Sequence, residues 1–347
     1  MFDPARPYSF HIELTDKCNA GCPMCPRTDH MNGCRADRSV VANVELGLGD
    51  FETHFDDAFA ARTSEVIFGG AYGDPLAARE LLEIVEHLTA RGVAVAIATN
   101  GSLRRPDWWA RMGRAMAKVP GSRLELHIDG LHDTSPLYRV NTDVAKILEN
   151  AAAYIATGAR AEWHFIIFRH NEHQIEEAFR LSRRLGFARF VLIDTVRFGP
   201  GGQFDYVMPS GEARVLERPT RRADDFALAG GEIALASRDE AAEAAAEPSP
   251  FAVNGIDCKS AVRNSPYISA HGQVSACCWV AGSGEERGFF AANGLSQARY
   301  NLRARPLAEI MADEPFASRY AAAWAADSLP TCRHKCGKMR RNRRNAL

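Results

Sequence analysis

"YSFHIELTDKCNAGCPMC", residues 8–25, runs from an alternating strand pattern straight into three cysteines. Phe10, Ile12 and Leu14 fall on one face of that strand, and Ser9, His11 and Glu13 on the other. Cys18, Cys22 and Cys25 follow as a C-x3-C-x2-C run on the loop. This run places three thiolates around one centre and supplies no adjacent fourth. A structural zinc ion takes four protein ligands, and His30 or Cys34 is available to complete such a set. A cubane iron–sulfur cluster on three thiolates instead keeps one iron open to a small molecule. Spacing by itself leaves both readings open.

The rest of the composition narrows the compartment. Nine cysteines lie in a chain of 347 residues, four before residue 35 and five after residue 257. The start, "MFDPARPYSF", lacks the basic and apolar regions of a signal peptide, and no uncharged apolar run approaches a membrane span. A cytoplasmic location is expected, where thiols stay reduced and point to metal or redox chemistry. With 42 basic against 43 acidic residues, no general polyanion-binding or membrane-surface field is implied. The basic tail "KMRRNRRN" reads as a solvated end. Without an interleaved aromatic and basic surface, a nucleic-acid substrate is not expected.

From residue 8 to about residue 198, period-two apolar runs alternate with helical patterns. "SEVIFGG", "VAVAIATN", "RLELHIDG", "AEWHFIIF" and "FVLIDTVRF" continue the series to six strands. Leu81, Ile84, Val85 and Leu88 make the apolar stripe of a helix that Gly92 stops. Val144, Ile147, Leu148 and Ala151 repeat it before Gly158, and Ile175, Ala178 and Phe179 before Gly186. Such repetition predicts parallel strands covered by helices, as a partial barrel or a doubly wound sheet. Strands covered on both faces should be apolar throughout. Here Glu125, His127 and Asp129 oppose Leu124, Leu126 and Ile128, as on the first strand. That favours a barrel whose polar lumen holds a polar ligand over a sheet with one solvated face.

Strand, cysteine run and six-fold pattern together resemble the radical S-adenosylmethionine (radical SAM) enzymes. The resemblance implies a [4Fe-4S] cluster on Cys18, Cys22 and Cys25, with SAM chelating the open iron. Met24 stands where many members carry an aromatic residue against the adenine. "GGAYGDP", residues 69–75, is similar to the Gly-Gly-Glu-Pro-like motif that meets the SAM amino group, with Gly69, Gly70 and Gly73 as bare backbone and Asp74 in the glutamate position. Thr99, Asn100 and Gly101 end the third strand, where the family meets the ribose or methionine. "HIDGLHDTSPLYR", residues 127–139, resembles the fourth-strand region and brings Tyr138 and Arg139 toward the ligand. All four stretches fall at the carboxyl ends of strands, where ligands of parallel β/α folds sit.

After residue 256 a second module begins. "SPYISAHGQVSACCW" predicts a hairpin turning at His271-Gly272. Cys258, Cys277, Cys332 and Cys336 are similar to the auxiliary-cluster ligands of the twitch and SPASM subclass. Five cysteines fit a single second [4Fe-4S] cluster, with Cys278 as the alternative to Cys277. "CRHKC" carries a three-residue gap where two is commoner, and a four-cysteine zinc site also fits the spacing. No cluster role is expected for Cys34. The expected fold is α/β: a partial (βα)6 barrel over 1–200, a linker or variable region over 201–255, and a small α+β twitch-type auxiliary domain over 256–347. "SRDEAAEAAAEPSP" within the middle region reads as an exposed helix or linker.

The chemistry implied by the resemblance is reductive cleavage of SAM to a 5′-deoxyadenosyl radical, which takes hydrogen from an unactivated C–H bond. An electron enters from a low-potential donor of flavodoxin or ferredoxin type, and the outer cluster takes the second electron from the substrate. The substrate expected is a ribosomally made peptide, oxidised or rearranged; an aminosugar or other carbohydrate, dehydrogenated or epimerised, is the alternative. The core begins by residue 8, so a peptide substrate calls for a separate leader-peptide-binding protein or direct capture. A nonenzymatic iron–sulfur or zinc protein explains the cysteines but not the Gly-Asp-Pro and Thr-Asn-Gly strand ends.

Overall fold

A computed structural model describes residues 2–195, 197–226, 233–235, 252–313 and 318–337. The Ala- and Glu-rich stretch and the basic tail lie outside the described residues. All six expected strands form: β1 (Tyr8–Ile12), then, after two short strands β2 (Thr28–Asp29) and β3 (Arg35–Ala36), β4 (Thr63–Phe68), β5 (Ala94–Thr99), β6 (Arg123–His127), β7 (Ala161–Ile167) and β8 (Arg189–Asp194). They pair in parallel in the order β1-β4-β5-β6-β7-β8.

That order distinguishes a barrel from a doubly wound sheet. A doubly wound sheet reverses direction at a switch point, and this one steps one way only. With right-handed crossovers, a one-way sheet puts every helix on the same face. Helices α1 (Leu48–His54), α2 (Asp57–Ala60), α3 (Leu81–Ala90), α4 (Pro106–Met116), α5 (Ser135–Tyr138), α6 (Val144–Ile155) and α7 (Ile175–Leu185) connect the strands. Along that face α1 packs on α3, α3 on α4 and α4 on α6. The expected stripes turn inward: Leu81, Ile84, Val85 and Leu88 are buried, as are Val144, Ile147 and Ala151. Gly92, Gly158 and Gly186 follow their helices with positive φ.

The other face carries the polar residues. Strand pairing sets Glu125 beside Glu162 and His127 beside His164. They are not freely solvated: Glu162 is 2% exposed and His164 14%. Ala98 lies in register with Glu125, and Ala96 with Ile67, so β5 puts only small side chains into the middle of this lumen.

The sheet continues beyond the six barrel strands at both edges. Strand β12 (Tyr267–Ile268) pairs in parallel with β1, and β13 (Val274–Ser275) turns back on it through Gly272, at the expected His271-Gly272 turn. On the opposite edge β11 (Ile233–Leu235) pairs with β8. A separate antiparallel hairpin, β9 (Gln203–Val207) and β10 (Ala213–Glu217), forms in the region read as a linker. No helix of the described residues is long and apolar enough to cross a membrane.

One buried side chain fastens the module to the chain's beginning. Asn264 accepts from Asp3 N–H at 2.9 Å and donates to the carbonyls of Asp3, Arg6 and Pro7 at 3.0, 3.2 and 3.2 Å. Asn264→Ala should lower stability by about 1–3 kcal/mol, since a buried side chain and its hydrogen bonds to part-buried backbone groups are lost together. Urea unfolding would read this as a lower midpoint; an unchanged midpoint would mean that the module does not depend on this anchor.

Candidate functional site

The cysteine run leaves β1 and is pinned at both ends. Asp16, buried, accepts from the N–H groups of Ala42, Asn43 and Val44 at 2.6, 3.1 and 2.8 Å. Beyond Cys18, Asn19 donates to Ser102 at 2.8 Å and accepts from Asn100 at 3.1 Å. Arg197 donates to the Met24 carbonyl at 2.8 Å. A Cβ on Gly21 would stand 2.4 Å from the Cys34 carbonyl, so the run can pass only with glycine there.

Donors converge on the sulfurs. Cys18 Sγ accepts from Ala20 N–H at 3.4 Å and Asn100 Nδ2 at 3.8 Å, and Cys22 Sγ from Arg139 Nη1 at 3.7 Å. Burial, then the charge of Asp74, pushes the Cys18 thiol up to about 12. Burial likewise raises Cys22, against the pull of Arg139. These thiols need positive charge beside them to ionise, as an iron–sulfur cluster provides. Of the side chains suggested as a fourth zinc ligand, Cys34 lies in the same buried cluster as Cys22 and donates to the Val207 carbonyl at 3.4 Å, while the His30 ring packs 4.7 Å from Phe204.

At the second and third strand ends the expected contacts are joined to one another. Asp74 is buried and accepts from Thr99 Oγ1 at 2.7 and 3.0 Å, Asn100 N–H at 2.8 Å and Leu76 N–H at 3.0 Å. Its carboxylate is thus fully engaged in clamping the two strand ends together. Gly73 packs against β1's exit, where a Cβ would stand 1.7 Å from the Thr15 carbonyl. Glu13 carries the same loop, accepting from Tyr72 and Gly73 N–H at 2.6 and 3.0 Å and from Tyr267 Oη at 2.6 Å. Gly69 offers its carbonyl to His11 Nε2 at 2.8 Å. Met24 is buried in a small cluster with Ala20, Tyr138, Val140 and Phe168.

At the fourth strand end Asp129 pairs with Arg139 at 2.6 Å and accepts from Ile166 N–H at 2.6 Å. Asp129 is fully buried. Tyr138 packs on Phe168, with ring centroids 4.5 Å apart. The hairpin of β9 and β10 closes over this region: Tyr206 donates to the Leu137 carbonyl at 2.6 Å, and Val207 N–H to the His30 carbonyl at 2.8 Å. Sequence pattern gave no sign of Asn19, Ser102, Arg197 or Tyr206 in these roles. Only Asn19, next to the first cysteine, offered a positional hint.

The C-terminal cysteines gather around a cavity of about 330 Å³ lined by Cys258, Cys277, Cys278, Cys332 and Cys336, and reached by His11 and Tyr267 from the barrel side. The Cys258 thiol hydrogen-bonds to Cys336, which favours the thiolate at Cys336. Cys277 senses Cys332 and acts on Cys258. Cys278 instead faces Glu13 and Lys335, and burial pushes its thiol up to about 11.

Residues 12–193, about half of the chain, match the family described as the Radical SAM superfamily. An AdoMet-dependent heme synthase of Methanosarcina barkeri is 27% identical over 209 residues, 59% of this chain and 55% of that protein. A PqqA peptide cyclase of Gluconobacter oxydans is 25% identical over 231 residues, 66% of this chain and 60% of that protein. The chain thus spans a little over half the length of these relatives. Streptococcus suis SuiB bound to S-adenosylmethionine shares the fold, with a TM-score of 0.60 at 14% identity, covering 91% of this chain and 68% of that one.

Arg139→Ala removes the ion-pair partner of the buried Asp129 and leaves it the Ile166 N–H bond alone, which should cost about 3–5 kcal/mol. Urea unfolding of the metal-free chain measures this, and a loss below the range of ordinary surface substitutions would mean that Asp129 is solvated after all.

Proposed function

The chain belongs to the radical SAM superfamily and is an enzyme with the family's [4Fe-4S] cluster and SAM; from this we propose that Cys18, Cys22 and Cys25 hold that cluster. When bound and reduced, cluster and SAM supply a 5′-deoxyadenosyl radical as the hydrogen-abstracting agent. The observation that supports the assignment is the pair of donors turned onto the run, Asn100 Nδ2 at Cys18 Sγ and Arg139 Nη1 at Cys22 Sγ.

The protein's own part is placement and shielding. Arg139, oriented by Asp129, keeps a cation at Cys22, and Asn100 keeps a donor at Cys18. The loop of Gly69, Gly70 and Gly73 and the strand end of Asn100 and Gly101 form the SAM side of the site, with Met24 behind the cysteines. Asp74 and Thr99 act as the clamp that holds those two strand ends in register, so their effect on SAM runs through backbone position. The β9–β10 hairpin covers the cysteine run and excludes water from it.

Cys258, Cys277, Cys332 and Cys336 hold the second [4Fe-4S] cluster in this proposal. Their cavity opens toward His11 on the inner wall of the barrel, which suits an electron acceptor for a substrate lying in the lumen. With that cluster in place it would supply the electron acceptor for a net two-electron oxidation of the substrate, whose hydrogen atom would go to 5′-deoxyadenosine and whose remaining proton would go to solvent. A ribosomally made peptide is the substrate class, supported by the peptide cyclase among the relatives. A low-potential flavodoxin or ferredoxin supplies the first electron. In this scheme the barrel occupies residues 1–200 and the auxiliary domain 256–347.

Anaerobic reconstitution should give about eight irons per chain, and dithionite with SAM should release 5′-deoxyadenosine. Cys18→Ala should abolish that release. Cys332→Ala with Cys336→Ala should keep the release while a neighbouring-gene precursor peptide no longer loses its hydrogen pair. Four irons with full peptide oxidation would refute the outer cluster; bound zinc without SAM cleavage would refute the first.

A further inference from the structure

We propose that Glu125, His127 and His164 bind one divalent transition-metal ion on the inner wall of the barrel, separate from both cysteine sets. The three ligand atoms lie within 4.8 Å of one another. Backbone pairing produces this arrangement: His127 and His164 are register partners on β6 and β7, and Glu125 lies two residues before His127 on the same face. The two imidazole ring centroids stand 5.0 Å apart with the planes tilted by 56°. Ligand atoms around one tetrahedral ion stand about 3.4 Å apart, so small rotations of the rings close the set.

The neighbours are arranged as metal ligands require. Glu162 stands 3.3 Å from His164 Nε2 and is itself held by Arg160 at 2.8 Å and Arg189 at 3.6 Å. A carboxylate on one ring nitrogen fixes the proton there and leaves Nδ1 bare for an ion, as in carboxylate–histidine–metal arrangements. Glu125 is oriented through one oxygen by Arg123 at 2.8 Å, which leaves the other free. The His127 side chain makes no hydrogen bond among the described residues, so its ring nitrogens are left to a ligand. Two imidazoles and one carboxylate suit zinc, iron(II) or cobalt(II) and leave coordination positions open.

The open positions face the space in which a substrate would lie. His127 is two residues before Asp129, the partner of Arg139 beside Cys22, a rise of about 7 Å along the strand. A metal here would anchor an oxygen donor of the substrate, a carboxylate or peptide carbonyl, below the radical source. That use rests on the radical reading above; the binding of the ion does not.

Zinc is the probe. Reconstituted protein is desalted, dialysed to equilibrium against micromolar zinc, and its zinc counted by mass spectrometry, with X-ray absorption reporting the ligands. The expected result is about one zinc per chain with nitrogen and oxygen neighbours and no sulfur, retained in Cys332→Ala with Cys336→Ala. His127→Ala and His164→Ala should each abolish it, and Glu162→Gln should weaken it about 10- to 100-fold. Circular dichroism checks that each variant is folded; if the histidine variants unfold, the Glu162→Gln shift decides. No bound zinc, zinc on sulfur, or wild-type affinity in these variants would overturn the proposal. SAM cleavage is measured in parallel, so failure of the metal site and failure of the radical reading are told apart.

Discussion

The one-way stepping of the parallel strands is the constraint on which the molecule depends. Because every crossover returns on the same side, all helices cover one face and the other face is left to line a lumen. Apolar residues such as Phe10, Ile12, Leu124 and Leu126 therefore go outward under the helices and are buried. His11, Glu125, His127 and His164 go inward, where the alanines of β5 leave room beside them. The carboxyl ends of all the strands then open at one rim, and the cysteine run must leave from that rim.

Buried carboxylates organise that rim. Glu13, Asp16, Asp74 and Asp129 each lie at or just beyond a strand end, and each is matched by backbone N–H groups, a hydroxyl or an arginine. An ionised carboxylate without partners is too costly to keep inside a protein. Each acid therefore fixes the segment that satisfies it: Asp16 the segment at 42–44, Glu13 the glycine loop, Asp74 the end of β5, Asp129 the end of β7 and Arg139. The result is a frame of satisfied acids around the loop that carries the three thiols.

The same logic ties the C-terminal module to the barrel. β12 extends the sheet beyond β1, and Tyr267 on it donates to Glu13, the acid that carries the glycine loop. One side chain thus links the outer cysteine cavity to the loop beside the inner cysteine run. The shared sheet and the shared carboxylate hold the two cysteine sets at a fixed separation.

Local pattern determined a good deal. The six strands, the helical stripes at Leu81 and Val144, the glycine stops and the turn at Gly272 were all legible because period and turn chemistry are local properties. So was the cysteine run, whose spacing within one loop is a local fact. Tertiary structure decided what depends on partners distant in the chain. Asp74 looked like a ligand contact and is engaged by Thr99 and Asn100, because a buried acid takes the nearest donors that packing brings. The 203–217 hairpin closes over the cysteines through Tyr206 and Val207, contacts that no periodicity encodes. The grouping of Glu125 with His127 and His164 follows from the register of β6 on β7, which is set by the packing of the whole sheet and not by either strand's own sequence.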